Sequence, residues 1–161
     1  MRMLLTFSAL VLALLVESAL TRVAPPQARL FDPFLIVIVY CGVSYGETHG
    51  MIAGLGGGWI QDVYFGGDVA GLSALTKILV GFMVGVAGSR FLITGPAQRL
   101  LLLFGATVLD TLLFERVALV FDQSIAELSF GDLAGRATVT AIVGAGIFEL
   151  ADKRLRQELR S

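Results

Sequence analysis

The sequence has very few of the side chains from which most catalytic and metal sites are built. Its 161 residues include one cysteine, Cys41, and one histidine, His49. A second cysteine would be needed for an intrachain disulfide, and a metal site would need clustered ligands. Charged residues make up only 16% of the chain, and the net charge is −1, so no electrostatic footprint for nucleic acid is present. We predict no cofactor, no bound metal and no nucleic-acid partner.

Patterns that indicate particular enzymes are also missing. The glycine-rich segment 54–58 is not followed by the Gly-Lys-Ser/Thr of a phosphate-binding loop. Ser73 and the other hydroxyls have no candidate base nearby. An aspartate pair for intramembrane proteolysis would have to join Asp62 to Asp110, whose predicted depths differ. We therefore predict that the protein is not an enzyme.

What the chain does contain is a large share of apolar residues. Hydrophobic residues account for 56% of it, and its mean hydropathy is +0.83, both beyond the range of soluble domains. The length leaves room for about six membrane spans of about 20 residues each and for little else. The sequence thus predicts an all-α polytopic membrane protein with a single integral membrane domain, 1–161. The predicted spans are approximately 3–20, 34–45, 50–64, 71–93, 100–120 and 133–150, with a polar tail at 151–161.

Two parts of this assignment have alternatives. The first span, with Arg2 before it, also resembles a cleaved signal peptide, although the small residues at Ser18 and Ala19 make a poor cleavage site. The fifth span ends either near residue 113 or near residue 120, and the interval 122–132 is predicted to be an acidic loop.

The positions of lysine and arginine predict the orientation. With six spans and a cytoplasmic N-terminus, seven basic residues lie on the cytoplasmic side and three outside. Cytoplasmic loops carry the excess of positive charge, so both termini are expected in the cytoplasm.

Glycines recur at every fourth position before and within the third span. The ladder consists of Gly42, Gly46, Gly50, Gly54 and Gly58, and the next step of four reaches Asp62. Small residues let helix backbones approach closely in lipid. The next span has its own small-residue positions, so spans three and four are expected to pack together through the helix-packing or partner interface Gly50, Gly54, Gly58, Asp62, Gly71, Gly81 and Gly85. We place a break at 47–49, and we expect the additional Gly56 and Gly57 to distort the third helix.

Ionisable residues inside predicted spans are rare and need partners. Glu17, Asp62 and Lys77 are predicted to share the outer leaflet, and our hypothesis is that they form an intramembrane charge cluster in which Lys77 is neutralised by Asp62 or Glu17. The alternative is that the acids reach the headgroups and Lys77 extends outward. Asp110 lies deeper without an obvious partner; it lines a polar cavity or ends a shorter helix.

The central region resembles the MreD family of bacterial rod shape-determining membrane proteins. The resemblance covers about 32–91 and rests on the Gly50-x3-Gly54-x3-Gly58-x3-Asp62 ladder, on the following Phe65-Gly66-Gly67, and on Gly71-Leu72-Ser73-Ala74-Leu75 with Gly81-Phe82. The remainder is similar only in hydropathy and size. The family is also thought to be related to the six-helix substrate-binding subunits of energy-coupling-factor transporters, which implies a similar fold.

This resemblance implies a non-enzymatic scaffold in the bacterial cytoplasmic membrane that supports rod shape and lateral peptidoglycan synthesis as part of the elongasome. Its implied direct partner is MreC, with MreB, RodA and a class B penicillin-binding protein in the larger complex and membrane lipid around it. Small-residue faces on spans three and four would admit the single MreC helix. The alternative is a substrate-binding subunit of a vitamin-type transporter, with Glu17, Asp62, Trp59 and Gln61 as candidate ligand contacts.

Overall fold

The described part of the chain is entirely helical, which confirms the all-α prediction. In this computed structural model the described residues are 2–23, 30–65, 70–91, 93, 95–121 and 130–158, and the side chains of 2 and 152–158 are not among the described features. Six helices occupy these residues: α1 Arg2–Val23, α2 Pro33–Tyr45, α3 Glu47–Phe65, α4 Leu72–Arg90, α5 Pro96–Val120 and α6 Phe130–Glu158.

Several of these helices are suited to a bilayer. Among the described residues, three stretches are long and apolar enough to cross it, Met3–Val23, Leu72–Arg90 and Phe130–Ala151, and α2 is a shorter apolar helix. At 1.5 Å per residue, the 13 residues of α2 extend about 20 Å, which is less than the hydrocarbon thickness of about 30 Å. By length and composition, three of the described helices are therefore suited to cross a bilayer, whereas α2 is too short to do so by itself.

The helix α2 lies at the centre of the bundle and α1 lies at its edge. Leu35 and Val39 of α2 are fully buried together with Val80 of α4 and Leu103 of α5. Among the described residues, the α1 helix packs only on α2 and α3, and 11% of its membrane-crossing window is buried against 44% for α4. We conclude that α2 to α6 form the core and that α1 is added to its side.

Local sequence explains where α2 begins. Asp32 precedes it with an extended backbone, and its Oδ1 atom accepts a hydrogen bond of 3.0 Å from the amide of Leu35. Pro33 occupies the first helical turn, where its missing N–H would have no partner in any case. Because Asp32 is 1% exposed, this helix start lies inside the bundle and needs that internal cap.

The predicted break at 47–49 is wrong, because the chain turns one residue earlier. Glu47 is already helical, and α2 and α3 are separated only by Gly46, whose φ is +90°. Residues with a side chain rarely adopt this backbone conformation, so the glycine at position 46 permits the sharp turn. The α3 helix is then continuous through Gly56 and Gly57, so the expected distortion is absent.

Other boundaries fall close to the predicted ones. The α4 helix begins at Leu72, directly after Gly71 with a φ of +98°, and ends at Arg90. The α5 helix follows the longer of the two alternatives and reaches Val120. The α6 helix continues to Glu158, so most of the predicted polar tail is helical. The loop interval 122–129 lies outside the described residues.

Candidate functional site

The helices α3 and α4 meet along their glycines. We call the contact of Gly50, Gly54 and Gly58 with the α4 backbone the glycine interface. A Cβ atom added to Gly54 would overlap the carbonyl oxygen of Lys77, and one added to Gly50 would overlap that of Gly81. These positions are closer than real Cβ atoms come to other atoms, so the two backbones are in direct contact.

The contact continues past the start of α3. A Cβ on Gly85 would overlap the Cα of Glu47, and one on Gly88 would lie 2.9 Å from the Cα of Val43. The α4 helix therefore runs antiparallel to α3 and reaches the end of α2. Of the predicted interface positions, Gly50, Gly54, Gly58, Gly81 and Gly85 are brought together within the chain.

Gly71 is not in this contact, since a Cβ there would meet no atom within 4 Å. Its positive φ shows that it serves the turn before α4 instead. Gly56 and Gly57 face another way: added Cβ atoms would lie 3.2 Å and 3.3 Å from the side chain of Leu10 in α1. The same helix thus uses separate glycines for α4 and for α1.

A second feature is a group of four charged side chains, which we call the charge cluster: Asp32, Lys77, Asp110 and Arg136. Lys77 Nζ lies 2.9 Å from Asp32 Oδ2 and 3.1 Å from Asp110 Oδ2. Arg136 Nη2 donates to the same Asp32 oxygen at 3.0 Å. The cluster therefore ties the start of α2 to α4, α5 and α6.

The charge cluster is buried, and it is balanced. Lys77, Asp32 and Asp110 are 2%, 1% and 4% exposed, whereas the side chain of Arg136 is 21% exposed. Two cations face two anions, so no net charge has to be placed in the bundle. Ions removed from water each cost several kcal/mol unless they are paired and hydrogen-bonded. One oxygen, Asp110 Oδ1, has no hydrogen-bond partner among the described residues.

The predicted partners of Lys77 are wrong. Lys77 does not pair with Asp62 or Glu17, because its side chain points toward α2 and α5 rather than toward the end of α3. Burial also excludes the alternative in which it extends outward to the headgroups. Asp110 neither ends a helix nor lacks a partner, since α5 continues ten residues beyond it and it binds Lys77.

Asp62 has a different role, as the cap of α4. Its Oδ2 atom accepts from the amides of Gly71 and Ala74 at 2.9 Å and 3.2 Å, and its Oδ1 accepts from the amide of Ser73 at 3.1 Å. The first amides of a helix have no partner within the helix, and Gly71 has no side chain to supply one. A carboxylate from α3 therefore satisfies them, and its negative charge is favourable at a helix N-terminus.

We expect Asp62→Ala to destabilise the fold by about 2 kcal/mol, since loss of an N-cap costs about 0.5–2 kcal/mol and bonds to charged groups are the stronger ones. Hydrogen exchange measured by mass spectrometry should show faster exchange in 71–74 than in the core of α4. Asp62→Asn keeps one acceptor oxygen and should give a smaller effect. Equal protection of 71–74 in Asp62→Ala and in the unaltered chain would contradict this capping role.

The candidate ligand contacts of the transporter alternative do not converge. Gln61 Nε2 donates to Glu17 Oε1 at 3.2 Å, and Glu17 Oε2 has no partner among the described residues. Trp59 is 58% exposed on the outer side of α3, and Asp62 is engaged with α4. Only Glu17 and Gln61 are brought together. In the described part of the chain, no three His, Cys, Asp or Glu side chains are grouped so as to hold a metal ion.

Sequence reasoning missed Asp32 and Arg136 as members of the charge cluster. Asp32 was visible as the Asp-Pro start of a helix, which does not reveal how deep that start lies. Arg136 completes the count of three basic residues that the predicted topology places outside, although it is the only basic residue between Phe130 and Ala151. An arginine inside an apolar span is the signal that predicts an intramembrane acid as its partner.

With this geometry in view, the comparison with protein families is decisive. The family model of the rod shape-determining protein MreD matches residues 1–131, which is more than three quarters of the chain. The chain belongs to the MreD family. This membership confirms the resemblance seen in the sequence and makes the chain a rod shape-determining membrane protein related to the MreBCD shape system. No curated protein matched the chain, and no solved structure did.

The MreD match includes most of both features described above. The glycine interface lies within it, as do Asp32, Lys77 and Asp110 of the charge cluster. Arg136 follows the matched region, in the α6 helix that closes the bundle. Arg136, which lies outside the match, thus completes the charge cluster that Asp32, Lys77 and Asp110 form within it.

Proposed function

We propose that the chain is a multi-pass protein of the bacterial cytoplasmic membrane with six spans and both termini in the cytoplasm. The support is a set of six helices in the described residues, together with the excess of lysine and arginine on the side of the two termini. The shortness of α2 does not conflict with this arrangement, because its buried start is capped and lies within protein rather than lipid.

Its proposed function is that of a non-enzymatic scaffold that binds MreC and supports rod shape and lateral peptidoglycan synthesis. The observation that carries this proposal is the MreD family match over residues 1–131. Through MreC, the larger complex would contain MreB, RodA and a class B penicillin-binding protein.

The glycine interface does not have the role expected from the sequence, which was to admit the MreC helix. Gly50, Gly54 and Gly58 contact α4 of the same chain, so this face is already covered and is not open to a partner helix. Binding of MreC is therefore proposed on the lipid-facing surface of the bundle. The contribution of the glycines would then be indirect, since they hold α3 and α4 in the arrangement that presents this surface.

The proposal is tested by deleting the gene for this chain in its own bacterium and restoring it on an inducible plasmid with an affinity tag. Depletion should convert rods into spheres, and MreC should co-purify with the tagged chain after gentle solubilisation. The matched variants are Gly54→Leu, which disrupts the glycine interface, and Gly105→Leu, which places the same side chain where a Cβ meets no atom within 4 Å. We expect loss of rod shape only with Gly54→Leu.

Two results would contradict the proposal. One is unchanged rod shape after depletion of the chain. The other is a complete absence of MreC from a preparation in which the tagged chain is folded and restores the rods. A small polar molecule other than a phospholipid, retained in equal amount with the chain, would instead support the transporter subunit.

A further inference from the structure

An apolar groove runs along α2 between α1 and α6. Its volume is about 560 Å³, and the side chains that line it belong to all three helices. Six of them are Leu5, Ala9 and Leu12 of α1, Tyr40 of α2, and Ile147 and Ala151 of α6. Within the described residues α1 and α6 do not pack on each other, so α2 forms the floor and the two outer helices form the walls.

One end of this groove has the character of a membrane interface. Tyr45 lines it at the last turn of α2, and its ring lies 5.7 Å from that of His49. Tyrosine is enriched at the level of the lipid headgroups. The start of α1 and the second half of α6 reach this same end, because Thr6 contacts Cys41 and Phe148 packs on Tyr40 in the last two turns of α2.

Basic residues follow the groove on both walls at this end. Arg2 begins α1, one turn before Leu5, and Lys153, Arg154 and Arg156 follow Ala151 in α6. Asp152 and Glu158 are the acids of the same stretch of α6, which therefore has three basic residues against two acids, and Arg2 of α1 adds a fourth basic residue. Lysine and arginine grouped at the cytoplasmic ends of membrane helices bind anionic lipid headgroups.

The volume of the groove favours a lipid chain over a helix. A helix is about 10 Å across with its side chains, so a 20 Å segment displaces on the order of 1,600 Å³. That is almost three times the volume of the groove. A hydrocarbon chain of 16 to 18 carbons, at roughly 30 Å³ per carbon, comparable to the share of one water molecule, occupies about 500 Å³.

We propose that this groove binds one acyl chain of an anionic phospholipid, whose headgroup lies among the basic residues at the start of α1 and the end of α6. The lipid fills the space that separates α1 from α6 and gives the edge helix a third surface to pack on. This site goes beyond the proposed scaffold function and does not depend on MreC.

The test is native mass spectrometry of the full chain in mild detergent, with phosphatidylglycerol and phosphatidylcholine of identical acyl chains added in equal amounts. The unaltered chain should retain one phosphatidylglycerol with at least fivefold preference. Lys153→Gln combined with Arg154→Gln, near the end of α6, should reduce this preference to less than twofold. Arg22→Gln at the opposite end of α1 is the matched control and should leave the preference unchanged.

A second pair of variants tests the acyl chain. Ala9→Trp fills the groove and should reduce total retained lipid at least fivefold, whereas Ala19→Trp, on an exposed position of the same helix outside the groove, should not. Equal retention of both lipids by the unaltered chain would overturn the headgroup assignment. Equal lipid retention by Ala9→Trp and Ala19→Trp would overturn the groove. If Ala9→Trp does not elute as folded protein, Leu12→Trp at another lining position of α1 replaces it, and the same two outcomes apply.

Discussion

Replacing Lys77 by methionine is expected to destabilise the bundle by about 3–5 kcal/mol, the range found when one member of a buried ion pair is removed. The side chain is of similar length, so the change removes charge rather than volume. Asp32 and Asp110 would then share the interior with Arg136 as the only remaining cation of the charge cluster. The measurement is the fraction of folded protein by circular dichroism as sodium dodecyl sulfate is added to the mild detergent.

Because the charge cluster has two cations and two anions, the loss caused by Lys77→Met can be tested by a rescue experiment. Lys77→Met leaves two anions and one cation, whereas Lys77→Met with Asp110→Asn leaves the neutral pair of Asp32 and Arg136. We expect the double variant to be more stable than Lys77→Met alone, although it has lost one more native group. Arg22→Met, which also replaces a cation by methionine but at the exposed end of α1, is the control and should have no measurable effect. If the second substitution only adds further destabilisation, the two side chains do not act as a pair.

The second large effect is expected at Gly54. Gly54→Ala adds one carbon, and this carbon would overlap the carbonyl oxygen of Lys77 and lie 2.9 Å from the amide nitrogen of Ile78. Both atoms belong to backbone and cannot move without moving α4. Overpacking of a tight interior costs about 1–3 kcal/mol, and we expect the upper end of this range because no flexible side chain is available to yield.

A graded series of glycine variants separates this effect from helix propensity. Gly56→Ala would place its new carbon 3.2 Å from the Leu10 side chain, which can shift, so a small loss is expected. Gly105→Ala meets no atom within 4 Å and should be neutral or slightly stabilising. The order of stability measured in sodium dodecyl sulfate should therefore be Gly105→Ala, then Gly56→Ala, then Gly54→Ala. Equal losses at all three positions would mean that close contact with α4 is not what the glycine at 54 provides.

The helices and the glycine interface were predictable because each has a local pattern. Apolar runs define the helices, and a glycine at every fourth residue identifies one face of α3. The sequence also paired this face with the next helix, since consecutive helices joined by a short connection are neighbours. The start of α3 was predicted at residue 50, three residues late, because Glu47, Thr48 and His49 are polar and helix boundaries are not marked by polarity alone.

The charge cluster was beyond the reach of such patterns. Asp32 and Asp110, which pair with Lys77, lie 45 and 33 residues from it along the chain. Arg136 lies 104 residues from its partner Asp32. Similar depth in the membrane was the only guide, and it made Asp62 and Glu17 as suitable as Asp32. The choice among them depends on which side of α4 carries Lys77, and the glycines of the same helix occupy the side that faces α3.

The order of these charges along the chain has a consequence for biosynthesis. Asp32 and Lys77 both belong to the first four helices, whereas Asp110 and Arg136 both arrive with the last two. Each portion of the nascent polypeptide thus delivers one acid and one base. Neither group of helices therefore brings an unbalanced member of the charge cluster into the membrane, and Asp110 of α5 and Arg136 of α6 can join the earlier helices as a balanced pair.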